Sequence, residues 1–159
     1  MHHDDEHTEN ADAGDGRGPD VAHLLVRLLN ISQRIGRYAA HETGERTSPA
    51  TWRALSVLQE KGPLRLGVLA EHCRVRQPTM TVIVESLLSS GYVARSPDPD
   101  DRRAQLHELT LAGAAALEDW RQRIGDALEP LFSDLSARER ELLSESVRLL
   151  DERLRRGGA

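Results

Sequence analysis

With 159 residues, the chain is long enough for one domain with a packed core and too short for two independent ones. Hydrophobic residues make up 38% of it but aromatic residues only 3%, so the core must be aliphatic, which suggests a mostly α protein. The formal net charge is −5, yet the first twenty residues hold seven acidic and one basic side chain, and the rest hold 19 and 20. The acidity lies mainly in a tail, so whole-chain charge excludes neither a cationic nor an anionic partner.

No apolar run approaches the roughly 20 residues of a membrane span, and the N-terminus shows no secretory signal, so we expect no membrane partner. Cys73 is the only cysteine, which excludes an intrachain disulfide and fits a cytoplasmic location. Residues 1–19 show no apolar periodicity and are predicted to be a disordered acidic tail. The tail histidines lack the fixed geometry that a metal site needs, so a solvated tail is the preferred interpretation.

The ordered domain is predicted to span residues 20–159 and to open with a helix over about 20–45. Spacings of three and four residues give this helix one apolar stripe, and a second stripe lies beside it. A helix that is apolar on two sides is packed on both, which suggests a partner beyond its own core. The stripes are Leu24, Leu28, Ile31, Ile35 and Tyr38, and Val21, Leu25 and Leu29.

A second helix is predicted from Ser48 as N-cap and Pro49 as first helical residue, ending at 61–63. Its inward residues are Trp52, Leu55 and Leu58. A short helix follows from Leu66 to about Cys73, with Leu66, Leu69 and Ala70 predicted to be buried. After a tight connection over residues 74–77, Pro78 opens a helix that runs to about Ser89. Two short helices joined in this way form the helix-turn-helix pattern.

Two strand-like runs, 92–95 and 104–109, flank a polar segment rich in proline and aspartate, which predicts a β-hairpin or wing. Thr110 then caps a long helix, and Ser136 with Glu139 forms a capping box that starts the last helix. These two helices carry more apolar surface than the small central lobe can cover, which predicts dimerisation through both ends of the chain. Their stripes are Leu117, Trp120, Ile124, Leu128 and Leu131, and Leu143, Val147, Leu150 and Leu154, with Leu142 and Leu149 alongside.

From about residue 20 onward the sequence resembles the MarR family of bacterial regulators. The most specific part is the wing signature Asp101-Arg102-Arg103, followed by Leu109-Thr110 and then Gly113. The other matching segments are 69–73, Thr81, 91–95 and 98–100. The resemblance implies a mostly α (α+β) winged helix-turn-helix fold, with a winged lobe at about 48–110 and dimerisation helices at about 20–45 and 111–155.

By the same resemblance, the expected function is that of a homodimeric repressor on a pseudo-palindromic site in double-stranded DNA. Such proteins release DNA when a small anionic or phenolic effector, or an oxidant, reaches them. No cofactor is expected.

The predicted recognition helix buries one face and points the other away. The buried face is Met80, Ile83, Val84, Leu87 and Leu88, and the outward residues are Pro78, Val82, Glu85, Ser86 and Ser89. At its N-terminus, Gln77 can read adenine bidentately, Thr79 can donate or accept, and free backbone N–H groups suit a phosphate.

Two outward residues are unusual for such a helix. Val82 replaces an arginine that is frequent in the family; it either touches a thymine methyl group or packs against the wing. Glu85 disfavours nearby phosphates and either stands alone or pairs with an arginine.

In the wing, Arg102 is the residue expected in the minor groove, and Arg103 is expected to pair with Asp101. Solvent exposure alone remains the other interpretation for both arginines. The candidate DNA-binding residues are Arg74, Arg76, Gln77, Pro78, Thr79, Thr81, Val82, Ser86, Arg95, Arg102 and Arg103.

A few residues are candidates for sensing an oxidant or a small effector. Cys73 either packs in the core or reports oxidants, and packing is preferred because it lies on the apolar side of its helix. Ser32 and Trp52 are candidates for lining an effector pocket, although core packing explains Trp52 equally well. No metal motif stands out among the histidines. No catalytic motif stands out either, so an enzyme is not expected. The competing hypothesis is a winged module that binds protein instead of DNA, whose binding would depend less steeply on salt.

Overall fold

The computed structural model describes residues 20–101 and 103–157. The chain divides into two units, residues 20–36 and 37–157. Six helices are described: α1 (Val21–Glu42), α2 (Pro49–Lys61), α3 (Leu66–Cys73), α4 (Gln77–Ser89), α5 (Leu111–Leu128) and α6 (Ala137–Arg156). The strands are β1 (Leu64–Arg65), β2 (Val93–Pro97) and β3 (Gln105–Leu109). The mostly α fold and the order of its elements are as predicted, and none of the described helices is long and apolar enough to cross a membrane.

The core lies in the second unit, where α2, α3, α4 and α5 meet the sheet. Its side chains are almost entirely aliphatic, as the composition required, and the stacked rings of Trp52 and Trp120 lie 5.0 Å apart at its edge. The predicted inward residues of α2 and α4 are buried, except that Leu88 is half-buried. Leu66 was also predicted to be buried, but it is half-buried because it starts α3 at the edge of the core.

The sheet has the order β1-β3-β2, and both neighbouring pairs are antiparallel. The β2–β3 hairpin is the predicted wing. The two-residue strand β1 was not predicted, because so short a strand has no periodicity and is defined by pairing with β3 alone: Leu64 pairs with His107 and Arg65 with Leu106.

Local capping signals explain where the helices begin. The Ser48 hydroxyl accepts from the Thr51 N–H, and Pro49 follows in the first turn. The Thr110 hydroxyl accepts from the Gly113 N–H at the start of α5, and Ser136 and Glu139 form the predicted capping box of α6. Each of these side chains satisfies N–H groups that have no partner inside the helix.

The apolar stripes of the outer helices are largely exposed in the single chain. In the first unit, every described residue from 20 to 34 is exposed, and in α6 none is buried and Leu150 alone among the described residues is half-buried. Leu131 was predicted as the end of the α5 stripe, which is wrong. Helix α5 ends at Leu128, and Pro130 lies in a 3-10 turn over Glu129–Phe132 that redirects the chain.

Candidate nucleic-acid interface

The turn between α3 and α4 depends on a left-handed residue. Arg74 ends α3 with φ of 52°, and the Val75 N–H donates to the Ala70 carbonyl in the pattern of a helix C-cap. The Arg53 guanidinium donates to the Cys73 carbonyl at 3.0 Å and ties α2 to the end of α3. The sequence did not reveal the Arg53 contact, because the partners are twenty residues apart.

The N-terminus of α4 is open to solvent. Arg76 is its N-cap without a side-chain hydrogen bond, Pro78 has no N–H, and the Met80 N–H already bonds the Arg76 carbonyl. The N–H groups of Gln77 and Thr79 are therefore among those that have no partner inside the helix. Both side chains are exposed, and such a terminus favours a phosphate oxygen. Thr81 is half-buried and bonds the Gln77 carbonyl, so its hydroxyl is already used within the helix.

The outward face of α4 is exposed as predicted: Pro78, Val82, Glu85, Ser86 and Ser89. Val82 is 67% exposed, which argues against the alternative that it packs on the wing. Glu85 forms no ion pair with any residue of 20–101 or 103–157.

The wing loop is held by one buried carboxylate. Asp98 is buried, accepts from Arg65 Nε at 2.5 Å, and accepts from the Asp100 N–H at 2.9 Å. The hydrogen bond from Arg65 and its charge, with the backbone N–H of Asp100, lower the pKa of Asp98. Asp98 therefore stays charged and holds β1 to the loop. The sequence indicated this aspartate only as part of a motif. Its bond to Arg65 was not predicted, because the two residues are 33 positions apart.

Arg103 of the wing contacts Asp101 through its backbone. The contact between Arg103 and Asp101 is made by the backbone: the Arg103 N–H donates to Asp101 Oδ1 at 3.0 Å. Arg103 therefore pairs with Asp101, but through its backbone N–H and not through its guanidinium, and the residue is exposed. Arg102 lies outside the described residues.

Exposed guanidinium groups also surround the helix-turn-helix. Arg74, Arg76 and Arg95 are exposed and form no ion pair with another described residue. Unpaired guanidinium groups of this kind are the usual partners of DNA phosphates.

The residues predicted for effector sensing do not form a shared pocket in the described part of the chain. Ser32 is exposed and donates to the Leu29 carbonyl of its own helix, whereas Trp52 is a core residue. A pocket of about 350 Å³ lies on the wing sheet, and neither of these residues lines it. Cys73 is buried, and burial raises the pKa of its thiol, which favours packing over reactivity. Within 20–101 and 103–157, no cluster of three or more metal-binding side chains occurs.

A two-helix turn with an open recognition helix, followed directly by an anchored hairpin, defines the class of winged helix-turn-helix proteins. The family description "MarR family" matches residues 47–104. A mycobacterial HTH-type transcriptional regulator is also 33% identical over 68% of its own length, and with this match it shows that the chain belongs to the MarR family of transcription regulators, which are not enzymes.

The chain is similar to an HTH-type transcriptional regulator of Mycobacterium bovis, with 33% identity over 61% of this chain and 68% of that protein. It is 27% identical to the transcriptional repressor YetL of Bacillus subtilis over 96% of this chain and 91% of YetL. Regulator Tm0710 of Thermotoga maritima has a similar structure, with 26% identity, a TM-score of 0.67 and coverage of 86% of this chain and 96% of that one. Bordetella bronchiseptica BpsR, whose DNA binding is regulated by 6-hydroxynicotinic acid, gives 26% identity and a TM-score of 0.53 over 84% and 98% of the chains.

Proposed function

We propose that the chain is a homodimeric transcriptional repressor that binds a pseudo-palindromic DNA site and leaves it when a small effector binds. The proposed DNA binding rests on one observation. Helix α4 is exposed, the N–H groups at its N-terminus are free, and the unpaired Arg74 and Arg76 come directly before it. In this proposal α4 enters the major groove, and Gln77 and Thr79 contact base edges or phosphates at its N-terminus. The protein acts in the cytoplasm, where the DNA is.

The remaining contacts are assigned by charge and exposure. Arg74, Arg76 and Arg95 bind phosphates, and Arg102 and Arg103 of the wing reach the minor groove or the backbone. Pro78, Thr81, Val82 and Ser86 complete the surface of α4 that approaches the groove. We also propose that residues 20–159 work as one domain, with the winged lobe at about 48–110.

Homodimerisation is supported by the apolar side chains that a single chain leaves uncovered. Contiguous exposed apolar surface on a folded protein usually marks an interface. The exposed residues are Val21, Leu24, Leu25, Val26, Leu28, Leu29 and Ile31 in α1, and Leu142, Leu143, Val147, Leu149 and Leu154 in α6. A dimer with two α4 helices about 34–36 Å apart would match successive turns of one DNA face.

In this proposal a small anionic or phenolic effector releases the protein from DNA. BpsR, which responds to an aromatic acid, supports this chemical class. Ser32 and Trp52 are its candidate contacts.

The experiment that tests the proposal is a DNA-binding titration over a salt series, with the DNA upstream of the protein's own gene and a library of genomic fragments. Wild type should bind a subset of sequences and lose affinity steeply as salt rises, because counterions are released from the neutralised phosphates. Arg102→Ala and Arg103→Ala should each bind several-fold more weakly, whereas Arg138→Ala, on α6, should bind like wild type. Binding to no fragment at any salt concentration would refute the DNA assignment and favour a protein-binding module.

A further inference from the structure

The outward face of α4 carries an unusual combination of groups for a helix that approaches DNA. Residues 77–89 contain no lysine or arginine, and Glu85 is their one charged side chain. The exposed groups on this face are the apolar Pro78 and Val82, the Glu85 carboxylate, and the hydroxyls of Ser86 and Ser89. This face therefore offers no positive charge to phosphates, and its apolar and acceptor groups suit contacts with base edges.

Val82 offers a methyl surface to the groove. Its side chain is 67% exposed, while Ile83 and Val84 beside it are buried in the core. An exposed β-branched side chain gains little from packing within its own chain, and its two methyl groups are held rigidly by the helix. The one apolar group on base edges in the major groove of ordinary DNA is the C5 methyl of thymine.

The Glu85 side chain provides hydrogen-bond acceptors and no donor. Its carboxylate is exposed and forms no ion pair with residues 20–101 or 103–157, while its backbone carbonyl accepts from the Ser89 hydroxyl. An ionised carboxylate can accept only, so it matches an exocyclic amino group, N4 of cytosine or N6 of adenine. It is repelled by guanine, whose O6 and N7 are both acceptors.

We propose that α4 selects its operator through a methyl group facing Val82 and an amino group facing Glu85. Residues three apart on a helix lie about 5–6 Å from each other, so the two bases are one or two steps apart. Each half-site then contains a thymine, or a 5-methylcytosine, close to a cytosine or adenine, with guanine excluded from the second position. This inference rests on the proposed function, because it requires α4 to lie in the major groove.

Uracil substitution tests the methyl contact, since uracil is thymine without the C5 methyl. Duplexes that bind wild type are first selected from a random library, and each thymine of the half-site is then replaced by uracil in turn. One replacement should weaken wild-type binding about three- to fivefold, the value of one buried methyl group, and should weaken binding by Val82→Ala clearly less. Ser89→Ala is the matched control on the same face and should keep the wild-type response to uracil.

The Glu85 contact is tested by repeating the selection with Glu85→Gln. A glutamine amide both donates and accepts, so guanine should become tolerated at the position that wild type restricts to cytosine or adenine. Thermal unfolding of each variant should match wild type, because these side chains are exposed.

The proposal is overturned if Val82→Ala responds to every uracil replacement as wild type does, or if the half-site contains no sensitive thymine. Selection of unchanged bases by Glu85→Gln would overturn the amino-group contact. If wild type selects no duplex at all, the proposed function fails together with this inference, and that outcome is distinct from selective binding that ignores the methyl group.

Discussion

Among the glycines that the structure describes, Gly113 has the least room for a side chain. A Cβ built at this glycine of α5 would lie 2.1 Å from the Tyr92 carbonyl oxygen and 2.8 Å from Leu109 Cδ1. The close approach brings α5 against the end of α4 and the start of the wing, where Thr110 also bonds the Gly91 carbonyl. The glycine of the wing signature is therefore explained by packing, and no positive φ is involved.

Gly113→Ala should lower the free energy of unfolding by about 2–4 kcal/mol, because a backbone carbonyl cannot move aside as a flexible side chain would. Chemical denaturation measures this change. Gly125→Ala is the matched control in the same helix, where a Cβ meets nothing within 4 Å. It should stabilise α5 by about 0.5–1 kcal/mol. Equal effects of the two substitutions would contradict the packing explanation.

His107 is a buried titratable residue in the central strand of the wing sheet. Burial lowers its pKa from the ordinary 6.5, and the charge of Arg95, its neighbour on β2, acts in the same direction. The folded state thus holds His107 neutral at a pH where the unfolded chain begins to bind a proton. The contribution of neutral His107 to the free energy of unfolding is fully present above pH 6.5. It is lost as the pH falls below this value toward the lowered pKa of the folded state.

Consequently, the free energy of unfolding should fall between pH 7.5 and 5.5, and His107→Gln should reduce that fall while costing some stability at both pH values. Urea denaturation at the two pH values measures the difference. His72→Gln, at an exposed position of α3, controls for the loss of a histidine. An unchanged pH dependence in His107→Gln would exclude this histidine as its source.

At the scale of elements, α6 differs from α2 and α4 in what stabilises it within one chain. None of its described residues is buried, so the helix depends on local interactions. These are the capping box at Ser136 and ion pairs of the i,i+4 type, Arg148 with Glu152 and Arg155 with Asp151. Exposed pairs of this kind contribute only about 0.3–0.5 kcal/mol each, so the cap is the larger local contribution.

Ser136→Ala should therefore lower the free energy of unfolding by about 1 kcal/mol, because the Glu139 N–H at the start of α6 loses the hydroxyl that accepts its hydrogen bond. Thermal unfolding followed by circular dichroism measures the change. Ser146→Ala removes a hydroxyl that bonds the Leu142 carbonyl within the same helix, and it should be neutral or slightly stabilising. The idea is wrong if both serines respond alike.

For the whole molecule, the apolar face of α6 is explained by the proposed homodimer. Leu143 is 52% exposed in one chain and would be buried against a partner. Leu143→Glu should convert the dimer to monomers, since burying an unpaired carboxylate costs far more than the contact returns. Sedimentation measures the mass, and the same variant should lose operator binding because one half-site alone is insufficient.

Arg148→Glu provides the matched control, since it introduces the same side chain on the polar face of α6. It should remain dimeric and bind the operator like wild type. A wild type that sediments as a monomer at the concentrations where it binds DNA would refute the dimer.

The amino-acid sequence by itself determined the helices, their caps and the order of the elements. Helical spacing of aliphatic residues and the capping residues Ser48, Thr110 and Ser136 are local signals, and the structure confirms them. The wing hairpin was equally predictable, because its strands are adjacent in the chain.

Only the tertiary structure decided which residues meet across long separations. The pairing of β1 with β3, the Arg65–Asp98 bond and the Arg53–Cys73 contact join residues that are 20 or more positions apart. The steric role of Gly113 and the exposure of Val82 likewise depend on neighbours that packing brings together. Periodicity reports which face of an element is apolar, but it carries no information about what that face meets.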